Sequence, residues 1–197
     1  MHITIKLLSV ISSTYYKNGV TMAYLNTRHI AAIAMCAAYW AILNNTLSPI
    51  LFRLTGMPFL CDLLAFTTLI LVGWWTRKFG IMSLTGLLVT GLTFMLQPNA
   101  FQMIGFVVAS ILFDITTKLI GYNNVFDKLA SGTLILLSFS TLCALIAGLI
   151  IGSMFMTFPT IWGVLGWGGL HAIGGLIGGI IGLILLNALR TRITIPS

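Results

Sequence analysis

Two stretches near the C-terminal end decide the fold class: residues 133–158, TLILLSFSTLCALIAGLIIGSMFMTF, and residues 164–189, VLGWGGLHAIGGLIGGIIGLILLNAL. Each stretch has 26 residues and contains no Asp, Glu, Lys or Arg. An α-helix needs about 20 apolar residues to cross the hydrocarbon core of a bilayer. Both stretches therefore predict transmembrane helices.

The composition of the whole chain agrees with this prediction. Of the 197 residues, 58% are hydrophobic and only 7% are charged, against about 25% charged residues in an ordinary soluble domain. This balance excludes a soluble globular enzyme and a disordered chain. The net charge is +7, but the basic residues are scattered singly between apolar runs, so we expect no nucleic-acid partner.

Four further apolar stretches precede the first two, and turn-forming residues separate them. Pro49, Gly56 and Pro58 mark the first predicted loop. The sequence thus predicts an all-α membrane protein with six transmembrane helices in one domain, 28–192, after a peripheral N-terminal segment, 1–27, and before a short cytoplasmic tail, 193–197. The predicted helices cover residues 29–47, 57–75, 81–96, 100–120, 133–158 and 164–189.

The distribution of Lys and Arg predicts the orientation in the membrane. With six crossings, nine of the ten basic residues fall on one side and only Arg53 falls on the other. Because cytoplasmic loops carry an excess of Lys and Arg, both termini are predicted to lie in the cytoplasm. The predicted location of the protein is the cell membrane.

Polar and aromatic residues collect in the predicted outer half of the bundle. Amides, a carboxylate, an imidazole and indole rings between apolar walls are the typical composition of a small-molecule pocket. These residues also have simpler interpretations. Trp162 and Trp167 could form an interfacial belt, His171 a contact between helices, Asp62 a pair with Arg53, and the Asn and Gln residues hydrogen bonds between helices. The candidate ligand-binding residues are Trp40, Asn44, Asn45, Asp62, Asn99, Gln102, Trp162, Trp167 and His171.

Two more features concern charges and cysteines. Asp114 and Lys118 are four residues apart, which predicts either an interfacial ion pair or, less simply, a role in proton transfer. The three cysteines lie singly in apolar runs, without a C-x-x-C motif or a Cys/His cluster, so neither a disulfide scaffold nor a metal site is predicted. No cofactor is expected.

Small residues form stripes on two predicted helices. Gly175, Gly178 and Gly182 share one face of the last helix, where close packing within the bundle is the simplest interpretation. The first helix carries a stripe that faces either the bundle or another subunit, formed by Ala31, Ala34, Ala38 and Ala41.

Three segments, RHIAAIAMCAAYWAIL (28–43), GMPFLCDLLAFTTLILVGWWTRKFG (56–80) and QPNAFQMIGFVVASILFD (97–114), together resemble a known family. The chain is similar to the substrate-binding S component of an energy-coupling factor (ECF) transporter, nearest to the thiamine-precursor type. The likeness extends over roughly residues 27–125 and depends on turns and small residues.

The resemblance implies a function as well as a fold. The chain would capture a vitamin-like molecule at the outer face and dock on a transmembrane coupling subunit joined to two ATPase subunits. In that family the alanine face of the first helix is the docking surface, which here corresponds to Ala34 and Ala38. The sequence has no Walker-type loop and no hydrolase motif, so we expect no enzyme activity. An accessory subunit of a larger membrane complex is the alternative, and an intramembrane enzyme using Asp62 and His171 is a third hypothesis.

Overall fold

A computed structural model describes residues 25–192, apart from the side chain of Leu129. The predicted tail, 193–197, and most of the predicted peripheral segment lie outside the described residues. The described part is all-helical, with helices α1 (Thr27–Thr55), α2 (Phe59–Thr76), α3 (Ile81–Leu96), α4 (Met103–Ile120), α5 (Tyr122–Phe126), α6 (Leu129–Met154) and α7 (Ile161–Arg190).

Five of these helices, α1, α2, α4, α6 and α7, are long and apolar enough to cross a membrane. Helix α3 is also apolar but has only 16 residues. A lipid-exposed surface explains why side chains such as Met95, Leu119 and Met154 are more than 70% exposed. These features indicate a multi-pass membrane protein.

The first helix corrects the predicted first loop. We expected a break at Pro49, but α1 continues through this residue to Thr55 and ends at Gly56, which has a φ of 69°. Proline removes one backbone hydrogen bond, yet apolar helices tolerate it where neighbouring groups compensate. A glycine is needed at the end because its positive φ is costly for residues with a Cβ.

Other boundaries differ by a few residues. Helix α6 begins and ends four residues before the predicted stretch 133–158, and α7 begins three residues before 164. Part of the connection between the predicted helices 100–120 and 133–158 forms the short helix α5. Hydropathy locates the centre of an apolar helix better than its ends, because interfacial residues extend the backbone hydrogen bonding beyond the apolar run.

The six long helices form a closed ring, in the order α1, α2, α7, α6, α4, α3 and back to α1. Within this ring the glycines of α7 lie at two interfaces. A methyl group added at Gly178 would be 2.8 Å from the Cα of Leu63 in α2, and one added at Gly175 would be 2.6 Å from the carbonyl oxygen of Ser140 in α6. The glycine stripe therefore packs inside the bundle, where it brings α7 close to both neighbours.

One end of the ring, here called the basic end, carries seven of the eight described Lys and Arg residues. Arg77 donates two hydrogen bonds to the Asp127 carboxylate there, at 2.8 and 2.6 Å. These bonds hold the pKa of Asp127 below its ordinary value. The basic residues at this end are Arg28, Arg77, Lys78, Lys118, Lys128, Arg190 and Arg192.

The predicted pairing of Asp114 with Lys118 is not among the ion pairs of the described residues. Asp114 is fully buried and accepts hydrogen bonds from Ser83, through the backbone N–H at 3.0 Å and the hydroxyl at 2.9 Å. The Lys118 ammonium lies 4.1 Å from the ring centroid of Phe79 instead. A carboxylate at the first turn of α3 satisfies an amide that lacks an intrahelical partner, which explains why Asp114 turns inward.

Candidate functional site: a cavity at the end opposite the basic residues

A cavity of about 340 Å³ lies at the other end of the ring, here called the cavity end. All six long helices or their adjoining loops contribute to its wall. Phe52, Met57, Gln97 and Gln102 line it and are also exposed, so the cavity reaches the surface. The complete lining comprises Asn44, Ser48, Pro49, Phe52, Met57, Pro58, Leu60, Cys61, Thr93, Gln97, Gln102, Phe106, Ile151, Met156, Trp167 and His171.

The alternation of the helices explains how these residues meet. Helices α1, α3 and α6 end at the cavity, whereas α2, α4 and α7 begin there. Short connections such as residues 56–58 therefore bring distant parts of the chain to one rim. Wall residues are mostly apolar, with a few amides and one imidazole, as in pockets for small molecules.

A buried acid–histidine pair lies at the deep side of the cavity. The Nδ1 atom of His171 in α7 is 3.0 Å from Oδ1 and 2.8 Å from Oδ2 of Asp62 in α2. Both side chains are almost inaccessible, His171 at 2% and Asp62 at 0%. This contact replaces the sequence-based alternative in which Asp62 pairs with Arg53, because Asp62 points into the bundle and not toward the loop.

The pairing determines which ring nitrogen of His171 remains available. When Asp62 is ionised, Nδ1 carries a proton and donates it to the carboxylate. The second nitrogen, Nε2, lies on the other side of the ring, is buried and has no hydrogen-bond partner among the described residues. It offers a lone pair when the ring is neutral and an N–H donor when the ring is a cation. A ligand could therefore be bound through either form.

Close helix packing fixes the position of His171. A methyl group added at Gly148 in α6 would be 2.6 Å from the Cβ of His171. Gly174 lies one turn further along α7 and directly against the Cβ of Asp62, where an added methyl group would be 2.9 Å away. Two glycines thus make room for the two members of the pair, so their geometry depends on the absence of side chains at both positions.

Aromatic rings surround the histidine. Trp167 contacts His171 with ring centroids 5.6 Å apart, and Phe106 does so at 6.0 Å. Phe52 meets Trp167 edge to face at 6.1 Å. The Nε1 atom of Trp167 is buried and has no hydrogen-bond partner among the described residues. Flat rings beside an available donor suit an aromatic heterocycle.

Three amides, Asn44, Gln97 and Gln102, belong to the polar part of the wall. Asn44 accepts a hydrogen bond from Ser48 at 3.2 Å, and its amide nitrogen lies 3.6 Å from the sulfur of Met103. Its orientation is thereby fixed at both ends. Gln97 and Gln102, in the connection before α4, are exposed at the rim.

The predicted candidates divide into three groups. Asn44, Gln102, Trp167 and His171 line the cavity, whereas Trp40 and Asp62 are buried behind its wall. Asn45, Asn99 and Trp162 are not part of the lining: Asn45 donates to the carbonyl of Ala41 and to Thr93, Asn99 lies in an exposed turn, and Trp162 is 76% exposed. Depth in the membrane, which guided the prediction, does not specify the face of a helix.

Several lining residues were missed in the sequence. Phe52 and Pro49 were placed in a loop, so their helical face could not be considered. Phe106 had a detectable signal, because it is four residues after Gln102 and shares its side of the helix. Met156 and Ile151 carry no sequence signal that distinguishes them from lipid-facing residues.

The alanine stripe of α1 is only partly accessible. Ala31 and Ala34 are exposed and Ala38 is half-buried, but Ala41 is 2% exposed and packs inside the bundle. The stripe turns inward because its spacing of three, four and three residues drifts around a long helix. Only its first part is available to a partner.

The arrangement is a small, mostly apolar cavity with aromatic surfaces, three amides and a histidine held by a buried carboxylate. It fits the binding of a small heterocyclic molecule. Comparison of the chain with protein-family models, curated proteins and solved structures finds no match, so its function has to be argued from this geometry.

Proposed function

We propose that this protein is the substrate-capture subunit of an ATP-driven importer of the ECF type. It binds a small heterocyclic vitamin or vitamin precursor from the outer face of the cell membrane. The observation that carries the proposal is the cavity to which all six long helices contribute, with His171 held by Asp62 at its deep side. The resemblance in residues 27–125 supports the same conclusion.

The ligand class follows from the wall chemistry. A cavity of about 340 Å³ is at the small end of the range for ligand pockets, roughly 300–1,000 Å³. The rings of Phe52, Phe106 and Trp167 would stack on a flat ring. Because Asp62 is a buried acid behind His171, the site favours a ligand with an N–H group or a positive charge next to the imidazole.

In this proposal all six long helices cross the membrane, with both termini in the cytoplasm. The short helix α3 has a length of about 24 Å at 1.5 Å per residue, and a bilayer accommodates such a mismatch at modest cost. The seven-to-one distribution of described basic residues between the two ends supports this orientation, which turns the cavity outward.

The orientation can be checked by cysteine labelling in intact cells. A membrane-impermeant maleimide is expected to label an Arg53→Cys variant from outside, and a Lys78→Cys variant only after permeabilisation. The native cysteines, none of which is fully exposed, are replaced by alanine for the measurement. The reverse labelling pattern would place the cavity on the cytoplasmic side and contradict the import proposal.

Energy for transport comes from partners in this proposal. A transmembrane coupling subunit and two ATPase subunits would supply ATP hydrolysis, and the coupling subunit would dock on the accessible part of the alanine stripe. Ala31 and Ala34 are exposed near the basic end of α1, which is the cytoplasmic end in this orientation. Ala41 is buried inside the bundle and is not available for this contact.

Ligand binding is tested with a pair of tryptophan variants. Small molecules that co-purify with the protein are identified by mass spectrometry, and their affinity is then measured by titration calorimetry. Trp167→Phe keeps an aromatic ring at this position but removes the buried Nε1 donor. We therefore expect the affinity for the co-purified molecule to fall by about 5- to 150-fold. The matched control, Trp162→Phe, changes an exposed ring outside the cavity and is expected to have no effect. Equal affinity in both variants, or no co-purified molecule, would favour an accessory subunit.

A further inference from the structure

A second surface of the molecule has features of a binding site that the proposed function does not explain. It shares only Ala31 with the accessible part of the alanine stripe. A groove of about 300 Å³ lies near the basic end, between α1, α2 and the end of α7. Its wall is entirely apolar except for one residue, Arg28. The lining residues are Arg28, Ala31, Ala32, Met35, Cys36, Leu71, Val72, Trp74, Trp75 and Leu189.

This groove continues toward the middle of the bundle. A second depression of about 320 Å³ shares Met35, Cys36 and Leu71 with the first and extends to Tyr39 and Leu185. The two depressions, which share these wall residues, are here called the α1–α2 groove. Small residues on α1, such as Ala32 and Cys36, leave the groove open, because large side chains at these positions would fill it.

The length of the α1–α2 groove matches one leaflet of a bilayer. From Arg28 to Tyr39 is eleven residues of helix, or about 16 Å at 1.5 Å per residue. Half of the hydrocarbon core is about 15 Å. Arg28 is therefore expected at the membrane boundary when Tyr39 is near the midplane, with Trp75 in the interfacial position that indoles prefer.

The charge at the boundary indicates which lipid would bind. Arg28 is exposed at the mouth of the groove, and Lys78 lies within electrostatic range of His29, the next residue of α1. The Asp127 carboxylate at this end is already bound by Arg77. A phosphate is thus attracted, whereas the amine of a zwitterionic headgroup would face a surface with an excess of positive charge.

We propose that the α1–α2 groove binds an anionic phospholipid, with an acyl chain lying between Met35 and Leu71 and the phosphate on Arg28. An apolar wall with one cation at its end fits an acyl chain and the phosphate attached to it. This inference depends on the protein being in a membrane but not on the ligand of the cavity.

Quenching of Trp75 fluorescence by brominated lipids tests the proposal. The full chain is reconstituted into phosphatidylcholine vesicles that contain increasing fractions of brominated phosphatidylglycerol, or of brominated phosphatidylcholine as reference. The Trp75 signal is the difference between the protein and its Trp75→Phe variant. Half-maximal quenching is expected at about fivefold lower mole fraction of the anionic lipid.

Two arginine variants form the matched comparison. Arg28→Gln is expected to abolish the preference for the anionic lipid, whereas Arg53→Gln, at the opposite end, is expected to retain it. Affinity for the cavity ligand is expected to stay the same in Arg28→Gln, which separates this proposal from the proposed transport function. No preference in the unmodified protein, or an unchanged preference in Arg28→Gln, would overturn the lipid site.

Other occupants give different results. If Trp75 is quenched only after deletion of residues 1–24, the chain's own N-terminal segment occupies the groove. If quenching falls as the protein-to-lipid ratio rises, a second copy does. Either result overturns the proposal. Cys36→Leu, which narrows the groove without changing charge, is expected to weaken quenching by both brominated lipids.

Discussion

His171→Ala is expected to lower the free energy of unfolding by about 3–5 kcal/mol, because it leaves the carboxylate of Asp62 buried without its partner. Asp62 has no exposed surface, so solvent does not compensate for the missing imidazole. The measurement is denaturant unfolding in detergent micelles, followed by tryptophan fluorescence. Asp62→Asn is expected to cost less, since the amide oxygen still accepts a hydrogen bond from Nδ1 of His171.

The control for this prediction is the ion pair at the basic end. Asp127→Asn removes a carboxylate that is bound by Arg77 but is about half exposed, with a side-chain accessibility of 48%. Exposed pairs contribute only about 0–1 kcal/mol. If His171→Ala destabilises the protein no more than Asp127→Asn does, the acid–histidine pair is not a stabilising buried contact, and its role in ligand binding loses its physical basis.

Gly178→Ala is expected to destabilise the bundle by about 1–3 kcal/mol through overpacking. The added methyl group would lie 2.8 Å from the Cα and 2.9 Å from the carbonyl oxygen of Leu63. Both are backbone atoms of α2, so they cannot rotate away and the two helices must separate. The separation would also stretch the hydrogen bond that Thr67 donates to the carbonyl of Gly178, which measures 3.0 Å.

Another glycine of the same helix supplies the control. Gly169 has no atom within 4 Å of the position where a methyl group would be added. Gly169→Ala is therefore expected to be neutral or to stabilise the protein slightly, because alanine favours the helical backbone. Both variants are compared by thermal unfolding in the same detergent. Equal stability of Gly178→Ala and Gly169→Ala would show that α2 and α7 accommodate the added methyl group at little cost. Their contact would then not position Asp62.

The comparison of the two glycines has a functional consequence. Helices α2 and α7 carry Asp62 and His171, and the close approach at Gly174 and Gly178 holds these two side chains together. A cavity that depends on backbone contact between helices cannot keep its geometry when the helices separate. Gly178→Ala should therefore also weaken ligand binding, although residue 178 is two turns from His171.

The amino-acid sequence by itself determined the all-helical class of the described residues and most of the apolar runs that are long enough to cross a membrane. Uninterrupted apolar runs such as 164–189 can satisfy their backbone groups only as helices in a bilayer. The positions of Lys and Arg between the apolar runs also distinguished the basic end of the helix ring from the opposite end. Both properties depend on local composition, which can be read from each segment of the sequence separately.

The tertiary structure decided which residues meet. His171 and Asp62 are 109 positions apart, and both the pairing with Arg53 and the contact between helices were compatible with the sequence. Pro49 was a predicted break but lies inside α1, so Phe52 belongs to the cavity. Trp162 is on an exposed face of α7 at the cavity end, and Asn99 lies in an exposed turn. Depth follows from position along one helix, whereas the face depends on how six helices pack, which no single segment determines.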